Sequence, residues 1–506
     1  MDIFEPRLRI THKRQNKKAT RMKDILTALS DNLPFVPTEE QYHALARLAR
    51  FVESRQPLSA FILRGYAGTG KTSLVSALVR GLKETGTEPV LLAPTGRAAK
   101  VFSLYSGVQA YTVHKAIYRQ KTFNGEDTDF DLGYNKRKNA IFIVDESSMI
   151  SNEGGGSMFG SGRLLDDLVS FVFQGAGCKL LLVGDTAQLP PVGEELSPAL
   201  EPSVLESYGL NVGCADLQQV MRQGRDSGVL SNATEIRTLI SRGEPDEFPR
   251  ISIKDFDDIR FLSGGELIEE IESCYDDAGS DQTIVVTRSN KRAIVYNHGI
   301  RARIYEREGE LSAGDRVMIV KNNYFWAAMA AAESNVDNTP QTDFIANGDI
   351  AEVRHVRNVH AMHGFRFADA TLRFPDYDNC EFEARVLLDT LDSEAPALKR
   401  EESLRLYQSV VADYQDIRNR RERMKRLRQD PYYNALQIKY AYAITCHKAQ
   451  GGQWSRVFLD QGYTPADMLS LNYLRWLYTA FTRTTGRLYL VNWPKNQRTE
   501  TDEFDF

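Results

Sequence analysis

Four uninterrupted apolar runs punctuate the first half of the chain: Phe61-Ile62-Leu63, Val90-Leu91-Leu92, Ile141-Phe142-Ile143-Val144 and Leu180-Leu181-Leu182-Val183. A half-exposed strand alternates apolar and polar residues, whereas runs like these fit strands buried on both faces of a parallel sheet. After the first run, Leu74, Val75, Leu78, Val79 and Leu82 recur at helical spacing and predict a helix over residues 73–82. Upstream, Thr38-Glu39-Glu40-Gln41 reads as a capping box on a helix that carries Leu45, Leu48, Ala49 and Val52. Together these elements predict one α/β domain over residues 34–220. Inside it, Lys121-Thr122-Phe123 and residues 127–132 flank Asn124-Gly125, a dipeptide suited to a tight turn, so a projecting hairpin is expected within residues 115–138. Residues 151–162 are glycine-rich and read as a mobile loop.

The second half repeats the α/β pattern with an interruption. Thr283-Ile284-Val285-Val286 reads as a buried strand and residues 293–305 as a helix. From Leu311 the pattern turns β-rich, at residues 316–320, 350–353 and 366–374, which predicts a small inserted barrel over 311–395. Residues 397–429 then become helical, with Tyr407, Val410, Tyr414, Ile417 and Met424 on one stripe. At 1.5 Å per residue this predicts an arm of roughly 45–50 Å, within residues 396–435. Strand character returns at 440–445 and 456–459, and Leu488-Tyr489-Leu490-Val491 supplies a last strand. The expected organisation is therefore a poorly ordered basic arm (1–33), a first domain (34–220), a second domain split into 221–310 and 436–495, and an acidic tail (496–506).

Composition narrows the setting without naming the chemistry. No apolar run approaches the roughly 20 residues needed to span a bilayer, and the lysines and arginines near the N-terminus precede no signal-peptide core, so an intracellular, cytoplasmic protein without a membrane partner is expected. The five cysteines, Cys178, Cys214, Cys274, Cys380 and Cys446, are far apart and lack disulfide-framework or metal-ligand spacing. The net charge of −5 argues against general attraction to nucleic acid but allows a locally basic channel. Basic clusters at residues 7–23 and 418–428 stand out as candidates for it, but each reads more readily as a solvated tail or helix face.

Chemistry enters at Gly65-Tyr66-Ala67-Gly68-Thr69-Gly70-Lys71-Thr72, between the first apolar run and the predicted helix. Glycines there let successive backbone N–H groups curl around phosphates, and the helix start turns its positive end to the same charge. Lys71 is placed to neutralise phosphate and Thr72 to hold Mg²⁺. The nucleotide-contacting set is Gly65, Ala67, Gly68, Thr69, Gly70, Lys71, Thr72 and Ser73. The run 141–144 ends in Asp145-Glu146, which suits Asp145 for Mg²⁺ and Glu146 for polarising the water that attacks the γ-phosphate. The run 180–183 leads to Gln188, an amide placed to sense that phosphate or water.

These motifs, with Ala93-Pro94-Thr95-Gly96-Arg97-Ala98-Ala99-Lys100, Asp145-Glu146-Ser147-Ser148-Met149, residues 184–192, Val220-Met221-Arg222-Gln223, Thr445-Cys446-His447-Lys448-Ala449-Gln450-Gly451 and Tyr478-Thr479-Ala480-Phe481-Thr482-Arg483, resemble in their order the superfamily 1 helicases. The RecD/Dda-like branch fits best, because Gly314-Asp315-Arg316-Val317-Met318 and Asn347-Gly348-Asp349-Ile350 look like the start of that branch's Src-homology-3-like barrel. The resemblance covers residues 36–495. It implies an α/β fold of two RecA-like P-loop NTPase domains with an inserted small β-barrel and a helical extension, binding ATP with Mg²⁺ in the cleft and single-stranded DNA across the top.

By motif, the resemblance implies that Gln41 reads adenine, that Gln450 and Gly451 lie at the nucleotide, and that Gln188 couples γ-phosphate to DNA. It further implies that Arg222 and Arg483 reach the γ-phosphate, and that Thr95, Thr112, His114, Thr445, His447 and Lys448 touch the DNA backbone. Both histidines also fit a purely structural role. Phe123 resembles in position a strand-separating pin. The implied activity is ATP-driven 5′ to 3′ translocation and unwinding by a monomer at single-strand and junction DNA, with replication, recombination or repair proteins as partners. The competing readings are a translocase or remodeller that does not separate strands, a nucleotide-switched binding module, and a motor on RNA.

Overall fold

The structure, a computed structural model, describes residues 25–120, 130–153, 160–221, 226–243, 245–333, 345–377 and 379–499. In the first domain, strands β1 (Ser59–Gly65), β2 (Pro89–Ala93), β3 (Ala110–Thr112), β6 (Ile141–Val144), β7 (Lys179–Gly184) and β8 (Asn211–Leu217) form one six-stranded sheet. The short pair β4 (Tyr118–Gln120) and β5 (Phe130–Leu132) stands apart from it as an antiparallel hairpin whose tip lies outside the described residues. The large sheet has the order β3-β2-β6-β7-β1-β8, and every pairing in it is parallel.

The uninterrupted apolar runs have a direct cause in this sheet. Phe61, Leu63, Leu91, Ile141, Ile143, Leu181 and Val183 enter a core on one face, with Leu74, Val75 and Leu78 of the helix Lys71–Glu84. Their neighbours Ile62, Val90, Leu92, Phe142, Val144, Leu180 and Leu182 enter a separate core on the other face, with Leu165, Leu168 and Val172 of the helix Leu164–Gln174. Successive strand residues point to opposite faces, and both faces are covered.

The second domain holds β9 (Ile259–Leu262), β10 (Thr283–Thr287), β16 (Ala443–Thr445), β17 (Trp454–Asp460) and β18 (Thr484–Val491), in the order β16-β10-β17-β18-β9 with all pairings parallel. Between β10 and β16 the chain leaves the sheet and closes a barrel from β11 (Arg316–Ile319), β12 (Ile350–Met362), β13 (Phe365–Phe374), β14 (Cys380–Leu387) and β15 (Leu436–Tyr440).

Four boundaries differ from the sequence reading. Residues 25–33 are not part of a loose arm: the helix Ile25–Asp31 packs Leu29, fully buried, beside Gly81, where a Cβ would stand 2.9 Å from Leu29 Cδ2. Residues 1–24 lie outside the described residues. The barrel does not end at 395, because β15 closes it by pairing with β14 and β11. No single long arm exists over 397–429; the helices Arg400–Ala412 and Arg420–Arg428 are separate, and Asn419 starts the second by accepting from the Arg421 and Glu422 N–H groups. The apolar stripe serves the barrel instead, since Leu406, Val410 and Leu427 pack on Phe365, Phe367 and Leu387. Residues 496–499 are likewise not tail, for Gln497 is fully buried and bonded to Gln461, and Arg498 bridges to Ile251.

Asp315 pins the barrel to the second domain. Completely buried, it accepts Arg301 Nε at 3.0 Å and Nη2 at 2.9 Å, Arg307 Nη1 at 2.9 Å, the Ser312 N–H at 2.8 Å and the Tyr442 hydroxyl at 3.1 Å. Replacing Asp315 by Ala strands two guanidiniums in the interior, and the expected loss is about 3–5 kcal/mol in urea denaturation; a loss under about 1 kcal/mol would show that other contacts hold the barrel in place.

Candidate nucleotide and nucleic-acid site

Because β1, β7 and β6 are consecutive neighbours in the sheet, their carboxyl ends deliver residues 65–72, 185–188 and 145–146 to one edge. The loop after β1 turns on Gly68 (φ 73°) and Gly70 (φ 85°), left-handed conformations that favour glycine. Close packing adds a second reason at Gly70, where a Cβ would lie 2.6 Å from Gln41 Nε2. Thr69 is fully buried and its hydroxyl donates to Tyr66 O at 2.8 Å, bracing the turn. Lys71 Nζ donates to Gly65 O at 2.5 Å and Tyr66 O at 2.9 Å and stands 3.9 Å from Asp185 Oδ2, so its ammonium spans the loop mouth. Thr72 is exposed and Ser73 half-buried at the helix start.

At the end of β6, Glu146 takes a left-handed conformation (φ 51°) and donates its N–H to Asp145 Oδ1 at 2.9 Å. Tyr105 donates its hydroxyl to Asp145 Oδ2. Burial pushes both carboxyls above the ordinary carboxylate range, and the charge of Arg483 draws Glu146 back down. Gln188 is buried, and its Oε1 has no hydrogen-bond partner among the described residues. An acceptor left open beside a phosphate loop fits a water or ligand donor.

The other wall of the cleft comes from the second domain. Arg483 is 2% exposed and is held by Thr479 O at 2.9 Å, Gly452 O at 3.3 Å and Thr482 Oγ1 at 3.1 Å. Tyr478 crosses the cleft: its hydroxyl accepts the Ala67 N–H at 2.9 Å and donates to Asp185 Oδ2 at 2.7 Å. Thr479 Oγ1 accepts the Leu189 N–H at 2.8 Å, and Gln450 Nε2 donates to Leu189 O at 2.8 Å. Arg237 lies over the Tyr66 ring at 4.3 Å. Asp185 and Tyr478 stood inside motifs read from the sequence but carried no role there, because neither shows its partner 293 residues away. Tyr105 carried no sequence signal at all.

The remaining predicted residues divide by place. Gln41 is buried with both ends of its amide engaged, Oε1 by the Thr38 N–H at 3.0 Å and Nε2 by Thr69 O at 2.9 Å and Met221 Sδ at 3.0 Å. Beside it opens a cleft of about 690 Å³ lined by Glu40, His43, Arg47, Asp216, Gln219 and Arg237. Gly451, expected at the nucleotide, packs against the first domain's helix Gly96–Ser106, where a Cβ on it would lie 3.2 Å from Thr95 Oγ1. Arg222 and Phe123 lie outside the described residues.

Thr95 and Thr112 spend their hydroxyl oxygens as helix caps, accepting from the Ala98 N–H and the Lys115 N–H, each at 3.2 Å. They follow β2 and β3, whose ends pair at Ala93 and Thr112. Burial lowers the His114 imidazole to about 4, so it is neutral at physiological pH. Thr445 ends β16, His447 is exposed, and Lys448 Nζ donates to Asn347 Oδ1 of the barrel at 2.6 Å.

As for Mg²⁺, the Thr72 hydroxyl and Asp145 carboxylate are hard oxygen donors suited to part of its octahedral shell, leaving the rest to water and phosphate. Among the described residues no cluster of three His, Cys, Asp or Glu could hold a metal unaided.

Comparison with known proteins agrees with this arrangement. An AAA domain model matches residues 37–248, and a UvrD-like helicase C-terminal domain model matches residues 440–491. The ATP-dependent RecD2 DNA helicase of Deinococcus radiodurans is 36% identical over 135 residues, 26% of this chain and 16% of its own. The ATP-dependent DNA helicase dda of Enterobacteria phage T4 is 21% identical over 427 residues, 80% of this chain and 87% of its own. Among solved structures, the Pif1 helicase from Bacteroides in complex with ADP-AlF3 and ssDNA aligns at 15% identity and a TM-score of 0.43, covering 92% of this chain and 94% of that one. The chain spans only 14% and 16% of the length of the first two curated relatives it matches. Both family models lie in the expected order on the two parallel-sheet domains, and the chain is similar to helicases of the RecD/Dda-like branch of superfamily 1.

Proposed function

We propose that the chain is an ATP-driven motor that moves 5′ to 3′ along single-stranded DNA and separates duplex DNA ahead of it. The observation that carries this reading is the two-walled cleft, with Lys71, Glu146 and Gln188 on one domain and, on the other, Arg483, whose charge reaches Glu146. Lys71 exchanges its carbonyl partners for phosphate oxygens when a nucleotide enters. Glu146, whose carboxyl burial raises and the charge of Arg483 draws back down, polarises the attacking water. Arg483 has three N–H groups committed to its own domain, leaving two of a guanidinium's five to meet the negative charge of phosphoryl transfer. Thr72 and Asp145 would hold Mg²⁺, which would supply neutralising charge at the phosphates.

Loss of the γ-phosphate removes what Arg483 reaches for, so the cleft opens after hydrolysis. Arg222 is proposed as a second arginine at that phosphate, and Phe123 as the wedge at a junction. Thr95, Thr112, His114, Thr445, His447 and Lys448 supply sequence-independent backbone contacts. The two family models and the RecD2 and dda relatives support an ATP-hydrolysing DNA helicase. Direction of travel and service to replication, recombination or repair belong to this proposal alone.

Tailed duplexes test the whole reading. Unwinding is expected from a 5′ overhang, with single-stranded DNA raising ATP turnover; unwinding from a 3′ overhang alone reverses the polarity, and an ATPase indifferent to DNA overturns the motor. Lys71→Ala should lower ATPase and unwinding together, on the order of 100-fold, as expected when one preorganised electrostatic group is lost.

Tyr478→Phe leaves the Ala67 N–H and an Asp185 oxygen unpaired, and is expected to cost about 1–3 kcal/mol in urea denaturation and to raise the KM for ATP. Unchanged values for both would remove Tyr478 from the cleft's structure.

His114 has its own signature. The folded chain protonates it less readily than the unfolded chain, so its contribution is complete above pH 6.5 and is lost as pH falls to about 4. The stability difference between the native chain and His114→Gln, from denaturant midpoints at pH 7.5 and 4.5, should therefore shrink on the acid side.

A further inference from the structure

One edge of the barrel lies against the groups proposed above to hold a DNA backbone. Asp349, 1% exposed, accepts the Ala346 N–H at 2.6 Å and the Tyr377 hydroxyl at 2.7 Å, both through Oδ2. Its Oδ1 has no partner among the described residues. That oxygen faces the start of the helix Gly96–Ser106: a Cβ on Gly96 would stand 2.4 Å from it and 2.8 Å from Tyr377 Oη. One turn further on, Lys100 donates to Pro375 O at 2.6 Å and pairs with Asp376 at 3.0 Å. From the second domain, Lys448 reaches the same barrel edge at Asn347 Oδ1, 2.6 Å away.

Thus a helix start and two lysines, drawn from both motor domains, are each met by oxygens from residues 347–377. Oxygens set against a helix N-terminus and against lysines are what a phosphate backbone offers. We propose that in the strand-free chain this barrel edge occupies the backbone path as an internal phosphate mimic, and that it withdraws when single-stranded DNA enters. The proposal rests on the DNA-binding reading above. Opening is facilitated by the state of Asp349 itself, whose carboxyl burial raises to about 7. Burial that raises a carboxyl in this way is relieved when the group regains hydration on release.

The test is fluorescence anisotropy with a labelled oligothymidylate and no nucleotide. Asp376→Asn, which frees Lys100, and Asp349→Asn should each bind about two- to fivefold more tightly than the unaltered chain, the scale of a partly exposed ion pair. Their DNA-free ATPase should not change. Asn347→Ala frees Lys448 with no change in net charge and should tighten binding too; tightening by the acid variants alone is a general charge effect and overturns the mimic. Because Asp376 sits at the margin of the contact, its variant keeps the test decisive if Asp349→Asn does not fold. Unchanged or weaker binding by folded variants overturns the inference alone, whereas no binding by the unaltered chain overturns the proposed function beneath it.

Discussion

Asp185 is almost fully removed from water, and a carboxylate there must be met by donors or cost the fold several kcal/mol. The donors come from both halves of the molecule, the Ala187 N–H at 2.9 Å and the Tyr478 hydroxyl at 2.7 Å, and the Lys71 ammonium stands 3.9 Å away as an ion-pair partner. Tyr478 in turn accepts the Ala67 N–H, an amide of the phosphate loop itself. The second domain is therefore joined to the loop through a buried hydrogen-bond chain that cannot be broken at either end without leaving a polar group unsatisfied. Whatever changes the hold on Lys71 changes the surroundings of the same carboxylate that anchors Tyr478.

The nucleotide side and the backbone side are linked by contiguous residues. Gln188 carries a buried oxygen with no partner among the described residues, while its neighbour Leu189 is clamped by Thr479 and Gln450 of the second domain. Gln450 leads directly to Gly451, which packs beside Thr95 at the start of the helix Gly96–Ser106. A shift of one wall against the other thus acts on the segment that carries Gln188 and on the helix start in one movement. The barrel touches the same helix from outside through Asp349, Asp376 and Tyr377 and is anchored to the second domain by the Asp315 cluster. Rigid attachment at one end and a poorly compensated carboxylate at the other make the barrel edge the contact best placed to yield.

Much of this was legible from local pattern. Runs such as 141–144 are continuous because alternate residues serve two cores, and that requirement acts on every residue of the strand. The loop 65–72 announces itself because phosphate binding needs small residues and a lysine at fixed spacing, and the capping box at Thr38 is complete within four residues. The errors share a different cause. A helical stripe from Tyr407 to Met424 looks the same whether it continues as one arm or breaks and folds onto a barrel, since the apolar partners Phe365 and Phe367 lie elsewhere in the chain. Strand β15 reads as the return of the second domain because its barrel partner β11 lies far upstream. The helix Ile25–Asp31 is short and preceded by a basic stretch, and only its fit over Gly81 distinguishes it from a tail.

The sequence by itself therefore determined the two parallel-sheet domains, the phosphate loop and the residue types at each strand end, because those constraints act within a few residues of chain. The tertiary structure alone decided which side chains meet: that Tyr478 completes the shell of Asp185, that Tyr105 holds Asp145, and that Asp349 faces the start of a helix in the other domain. Such pairings are settled by the desolvation of single buried polar groups, which must find donors wherever the packed chain brings them, and no local pattern records where that will be.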